Sequence, residues 1–160
     1  MNGVAQDQLG TKVKSENKMK KIQLPPDIEF HEDIRLLVHR PHGSLNKAAV
    51  SRIVALVGEL EYSLHEPFNR FFDTVGADEV DLNFEYMIQI SLYRRCVYAG
   101  RPPIKSAILA THSTVIHYAR LHAVMTQGSS IKVRVFQDRR EAAEWLGVPL
   151  ELLTAEASHH

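Results

Sequence analysis

Apolar side chains along this chain switch between the two-residue period of a strand and the three- and four-residue steps of an amphipathic helix. Ile28 and Phe30, then Ile34, Leu36, Leu37 and Val38, make two short strand-type runs separated by polar His31, Glu32 and Asp33, which predicts a hairpin. Pro41 and Gly43 end the second run. Asn46 then precedes Ala49, Val50, Ile53, Val54, Leu56, Val57 and Leu60, whose spacing predicts a helix. Strand chemistry returns at Phe68, Phe71, Phe72 and Val75. Gly76, Asp78 and Glu79 lead from there to Asp81, expected to cap a second helix with Phe84, Met87, Ile88, Ser91 and Leu92 inward. Arg94 and Arg95 suit the negative end of that helix, Gly100 suits a left-handed turn, and Pro102 and Pro103 cannot continue it.

A buried strand is expected over 104–111, followed by a helix capped by Ser113 and carrying Ile116, Ala119, Leu121, Val124 and Met125 to Gly128. Ile131, Val133, Val135 and Phe136 alternate with Lys132 and Arg134 as a further strand. Asp138 and Glu141 then form a capping-box pattern ahead of Ala142, Ala143, Trp145 and Leu146, with Gly147 and Pro149 closing the helix and 150–153 adding a turn. A hairpin followed by alternating helix and strand predicts an α/β fold: one mixed, mostly parallel sheet of about five strands with about four helices.

Composition narrows the class. With 160 residues, 44% hydrophobic and 24% charged, the chain reads as one ordinary globular domain rather than a disordered, collagen-like or disulfide-stapled protein. Five lysines against Asp7 and Glu16, with few large apolar side chains, make residues 1–21 a disordered basic tail. The domain is expected over 22–153, and 154–160 as a frayed end. Nineteen basic and nineteen acidic residues cancel, so the whole-chain footprint of a nucleic-acid binder is missing. No apolar run reaches the roughly 20 residues of a membrane span, no signal-type hydrophobic stretch follows the first residues, and the lone Cys96 suits a reducing compartment. A cytoplasmic location is the expectation.

The order of four short motifs adds a resemblance. Arg40-Pro41-His42-Gly43 follows the second strand, Pro67-Phe68-Asn69-Arg70-Phe71 opens the third, and Pro103-Ile104-Lys105-Ser106-Ala107 opens the fourth. Val133-Arg134-Val135-Phe136 then leads to Ala142-Ala143-Glu144-Trp145-Leu146-Gly147. Over roughly 28–149 the chain resembles the STAS-like fold of sulphate transporters and anti-sigma-factor antagonists, and more narrowly uncharacterised bacterial STAS-like proteins. The resemblance implies a regulatory domain with a phosphorylatable serine at a helix start. The corresponding stretch here is Asp81-Leu82-Asn83-Phe84, and neither Leu82 nor Asn83 has a hydroxyl to accept phosphate.

The chemistry-bearing residues support several readings. His117 and His122, at i and i+5, point about 140° apart on a helix, and no His-Glu-x-x-His pattern occurs, so no metal is expected. Cys96 lies late in a helix, where the field disfavours thiolate, and is expected to be core or semi-buried. Arg94, Arg95, Arg101 and Lys105 with Tyr93 and Tyr98 have the composition of a phosphate-and-base grip, although a dipole-matched helix end explains the arginines without a ligand. Glycine-rich phosphate loops and the serine-hydrolase elbow are absent, so neither a cofactor nor an enzyme is expected. His42 with Asp73 is the one titratable pair to inspect for catalysis.

Two hypotheses remain. In the first, a non-enzymatic regulatory or interaction module meets an unidentified protein partner at Asp81, Asn83 and Phe84; a homodimer is compatible with it. In the second, a small anionic or nucleotide-like ligand sits beyond the carboxyl ends of the strands. It would lie at the N-terminus of the helix starting near Ser113, among Arg40, His42, Asp73, His112, Ser113 and His117. The bland alternative is that Ser113 and Asp81 only cap helices and Arg40 only pairs with a neighbouring carboxylate.

Overall fold

The computed structural model describes residues 23–154, so the expected tail over 1–21 and the stretch beyond 154 lie outside the described residues. Strands β1 (Ile28–His31) and β2 (Leu36–His39) pair antiparallel, Ile28 opposite His39 and His31 opposite Leu36, which is the expected hairpin. The chain continues through β3 (Gly43–Asn46), α1 (Lys47–Leu64), β4 (Asn69–Asp73), β5 (Ala77–Asp81) and α2 (Phe84–Val97). It ends with β6 (Ile104–Leu109), α3 (Ser113–Met125), β7 (Ile131–Phe136), α4 (Arg139–Leu146) and the single turn α5 (Leu150–Leu153). Five strands form one sheet in the order β1-β2-β4-β6-β7, parallel at every junction after the first. The expected mixed, mostly parallel α/β sheet is therefore present.

Period-two alternation divides the central strands between two cores. Leu36, Val38, Phe71, Ala107 and Leu109 face α4 and α5, packing on Ala142, Ala143, Leu146 and Leu153. Leu37 and Phe72 face the opposite way, onto Ile53, Val57 and Leu60 of α1, with Phe68 closing the strand's start. Both faces are covered, as a parallel sheet requires. At one edge, β7 keeps Lys132 and Arg134 exposed, which discourages pairing with another chain.

Several local expectations are corrected. The segments before α1 and α2, read as loop and cap, pair as a second, two-stranded parallel sheet of β3 and β5. Ala77–Asp81 is mostly acidic and Gly43–Asn46 buries only Leu45, so neither shows an apolar alternation; pairing and the Leu45–Val80–Val115 cluster hold them. Because the ladder takes Asp81, the cap of α2 passes to Asn83, whose side-chain oxygen accepts from the Tyr86 N–H at 2.8 Å. Ser113 is already helical, and His112 caps α3, its Nδ1 accepting from the Thr114 N–H at 3.2 Å. The buried stripe of α2 is Tyr86, Met87, Ser91 and Arg94, leaving Phe84, Leu92 and Cys96 exposed. Asn46 and Asp138 cap α1 and α4 as expected, and Gly147 closes α4 at φ 71°, a left-handed value that favours glycine.

One charged side chain is wholly enclosed in this fold. Arg70 on β4 is fully buried and donates to Glu61 of α1 and, at 2.7 Å, to the Tyr98 hydroxyl; its guanidinium also stacks over the Tyr98 and Phe68 rings. Tyr98 donates to the same Glu61 carboxylate, and Arg101 reaches its other oxygen at 3.1 Å. Removing the carboxylate strands a buried cation. Glu61→Ala is expected to cost about 3–5 kcal/mol in urea denaturation, and a loss below about 1 kcal/mol would show that Arg70 finds another partner.

Candidate functional site

Helices α1, α2 and α3 roof the Leu37–Phe72 face of the sheet without filling it. A cavity of about 110 Å³ remains between Phe72 and Ile108 of the sheet, Ala49 and Ile53 of α1, Met87 of α2 and Ala119 of α3. Its few polar side chains are His39, Thr74, Tyr118, Arg94 and His122.

Arg94 and His122 arrive by the same helical logic. On α2, Met87, Ser91 and Arg94 follow at i, i+4 and i+7; on α3, Val115, Ala119 and His122 do the same, so each buried stripe ends on a polar residue in the last turn. Arg94 is 6% exposed, with its guanidinium carbon 5.7 Å from the Phe72 ring centroid. Among the described residues, no carboxylate lies within ion-pair distance of it and no acceptor takes a hydrogen bond from its side chain; the nearby Glu61 is held by Arg70, Tyr98 and Arg101. Burial, reinforced by the like charge of Arg70, pushes Arg94 down to about 10, which leaves it a cation at neutral pH.

His122 is buried, and its Nδ1 lies 2.7 Å from the Ser91 hydroxyl, which itself donates to the Met87 carbonyl at 2.7 Å. Burial first, and the Arg94 charge second, push His122 down to about 3, so the ring is neutral near pH 7. His39 is also lowered, chiefly by burial, against the opposing pull of Asp27 at 3.2 Å. Arg94 is therefore the cavity's one charged group at neutral pH.

A larger groove of about 690 Å³ lies alongside, lined by Glu61, Tyr62, His65, Tyr93, Tyr98 and Arg101 among others. Arg94 and Val54 border both spaces.

None of the residues expected to bind a ligand or a partner lines either space. Arg40 pairs with Glu29 at 2.7 Å and donates to the Leu152 and Thr154 carbonyls at 2.9 and 3.1 Å, tying the end of β2 to α5. Asp73 is buried against Arg139 at 2.8 Å rather than bonded to His42, and His42 packs over Gly76, where an added Cβ would stand 3.0 Å from its ring. His112 is committed to capping, while Ser113 and His117 are exposed, the latter beside Tyr118. Asp81, Asn83 and Phe84 lie on one exposed stretch at the start of α2. The basic cluster disperses: Arg101 binds Glu61, and Lys105 donates to the Trp145 carbonyl at 2.7 Å.

Arg94 and His122 were readable in the sequence as continuations of the inner stripes, one step of three beyond Ser91 and Ala119, but Arg94 was read as helix-end charge and His122 was weighed only as a metal ligand with His117. No group of three metal-ligating side chains forms among the described residues, and no described helix is long and apolar enough to cross a membrane.

A scan against protein-family models finds no match, and no curated protein matches. Among solved structures, the chain is similar to an uncharacterised protein of the DUF3478 family with a SpoIIAA-like fold from Shewanella loihica PV-4. That similarity is 19% identity over 74% of this chain and 90% of that one, with a TM-score of 0.46. It is a likeness of fold and bears on neither cavity nor groove.

The His122 environment has a pH signature. Its folded-state value of about 3 lies below the ordinary 6.5, so between those limits the unfolded chain takes up the extra proton and stability falls as pH falls. The slope approaches about 1.4 kcal/mol per pH unit. Urea denaturation at about pH 7 and pH 5.5 should show wild type losing more stability than His122→Gln; equal losses would mean that His122 is not the buried neutral group.

Proposed function

We propose that this protein is a small-molecule-binding domain and that its ligand occupies the cavity under α1, α2 and α3. The carrying observation is the cavity itself, walled by well-packed elements and nearly apolar, with its polar groups at few points. An apolar hollow with few polar groups, set between three helices and a sheet, is the common setting of a small-molecule site. Retaining it is intelligible where occupancy is the property the protein uses, and occupancy would be the state a regulatory domain reports.

Filling the cavity from two sides tests this. Fluorobenzene, followed by fluorine NMR, should bind wild type and lose at least about tenfold in affinity both in Ala119→Leu, from α3, and in Ala49→Phe, from α1. Unchanged binding in both fillings would place the probe elsewhere and sink the reading.

A second reading, contact with a protein partner at Asp81, Asn83 and Phe84, is favoured by the exposure of Phe84 at 54%, with Ile88 and Leu92 following at i+4 and i+8. The compatible partner is a second copy of the chain. Sedimentation at rising concentration should then show self-association that Phe84→Glu weakens by about tenfold. A wild type that stays monomeric at high concentration would remove the second-copy form of this reading.

A further inference from the structure

We propose that the cavity selects a compact apolar molecule bearing a single carboxylate, with Arg94 as its counter-charge. The proposal rests on the ligand-binding reading above and adds the chemical class.

The argument begins from charge accounting. Arg70, Arg94 and Arg101 surround one carboxylate, Glu61, whose two oxygens are taken by Arg70, Tyr98 and Arg101. The neighbouring Glu66 is engaged by Arg35 at 3.1 Å. Arg94 is thus a cation more than nine-tenths buried, bordering the cavity, with no anion of the described residues to neutralise it. Arg94 keeps little of its hydration at 6% exposure, and an anion brought by a ligand would gain a charge-assisted hydrogen bond to it in a setting of low polarity. The aromatic face of Phe72 leaves the guanidinium only a partial substitute.

The remaining features restrict the anion. The space is small, about 110 Å³, and its walls are chiefly aliphatic and aromatic carbon, so the body of the ligand is one ring or a short acyl chain rather than a nucleotide. Only one cation faces it, because His122 is neutral and His39 is already paired with Asp27. One planar guanidinium matches one planar carboxylate; a phosphate monoester, carrying close to two charges, would leave the second uncompensated in an apolar site. His122, uncharged there, adds no second counter-charge for the anion.

The test compares 4-fluorobenzoate with its neutral analogue 4-fluorotoluene by fluorine NMR on the full chain, with 4-fluorophenyl phosphate as a third probe. Wild type should favour the benzoate over the toluene by about tenfold or more. Arg94→Met should erase that preference while still binding the toluene, and Arg94→Lys should keep part of it. A wild type that binds the toluene equally well or better, or a preference that survives Arg94→Met, overturns the carboxylate assignment and leaves the cavity reading standing. Tighter binding of the phosphate overturns the assignment as well. Failure of all three probes to bind wild type overturns the cavity reading and this proposal with it. The wild-type comparison decides even if Arg94→Met does not fold.

Discussion

Much of this structure turns on a single carboxylate. Glu61 of α1 accepts from Arg70 on the central strand β4, from the Tyr98 hydroxyl just past α2, and from Arg101 in the connection to β6. Three separate segments are thereby held against one sheet face by a group that is itself largely buried. Such a network is strong only while its partners are complete, since low polarity raises both the value of each bond and the cost of losing one. It sets where α1 and α2 stand above Phe72, and hence the space between them.

The same network explains why Arg94 is left over. Its helix turn points it at the sheet beside Phe72, and the nearby Glu61 carboxylate is engaged by Arg70, Tyr98 and Arg101 instead. On the neighbouring helix, His122 escapes the corresponding problem by staying neutral and bonding to Ser91. One polar residue is thus bonded to a neighbouring side chain, while the other has no carboxylate partner among the described residues. An apolar cavity ending at an unpaired cation combines non-directional attraction for a hydrocarbon body with one directional demand, which is how a small site gains selectivity without many polar contacts.

The opposite face shows the contrast. There α4 and α5 close tightly on Leu36, Val38, Phe71, Ala107 and Leu109, and the polar groups at its margin are paired: Asp73 with Arg139, Arg40 with Glu29 and the backbone of the last turn. Side chains attractive as a ligand site from their chemistry alone turn out to fasten elements together. Residue type cannot separate these roles, because a fastening arginine and a binding arginine differ only in whether a neighbour is there to accept.

Hydrophobic periodicity was enough to determine the hairpin, the five principal strands, the four main helices and most of their ends, because burial on a sheet face or a helix stripe leaves a repeat in the chain itself. It did not reveal β3 and β5, whose Gly43–Asn46 and Ala77–Asp81 segments owe their strand form to each other rather than to an apolar pattern. It also left the caps of α2 and α3 one or two residues out of place, since Asp81 and Asn83, or His112 and Ser113, are comparable in capping chemistry until the ladder claims one and the backbone turns at the other. The resemblance to STAS-like domains lay in the order of motifs along the same elements. The site was hidden for a different reason. Met87, Ser91 and Arg94 can be counted along a helix, but whether Arg94 meets a carboxylate depends on Glu61, thirty-three positions earlier, and on what else has reached it first. Periodicity is a local property carried by the chain, whereas a vacancy and an unpaired charge are properties of what packing brings together, and only the tertiary structure decides them.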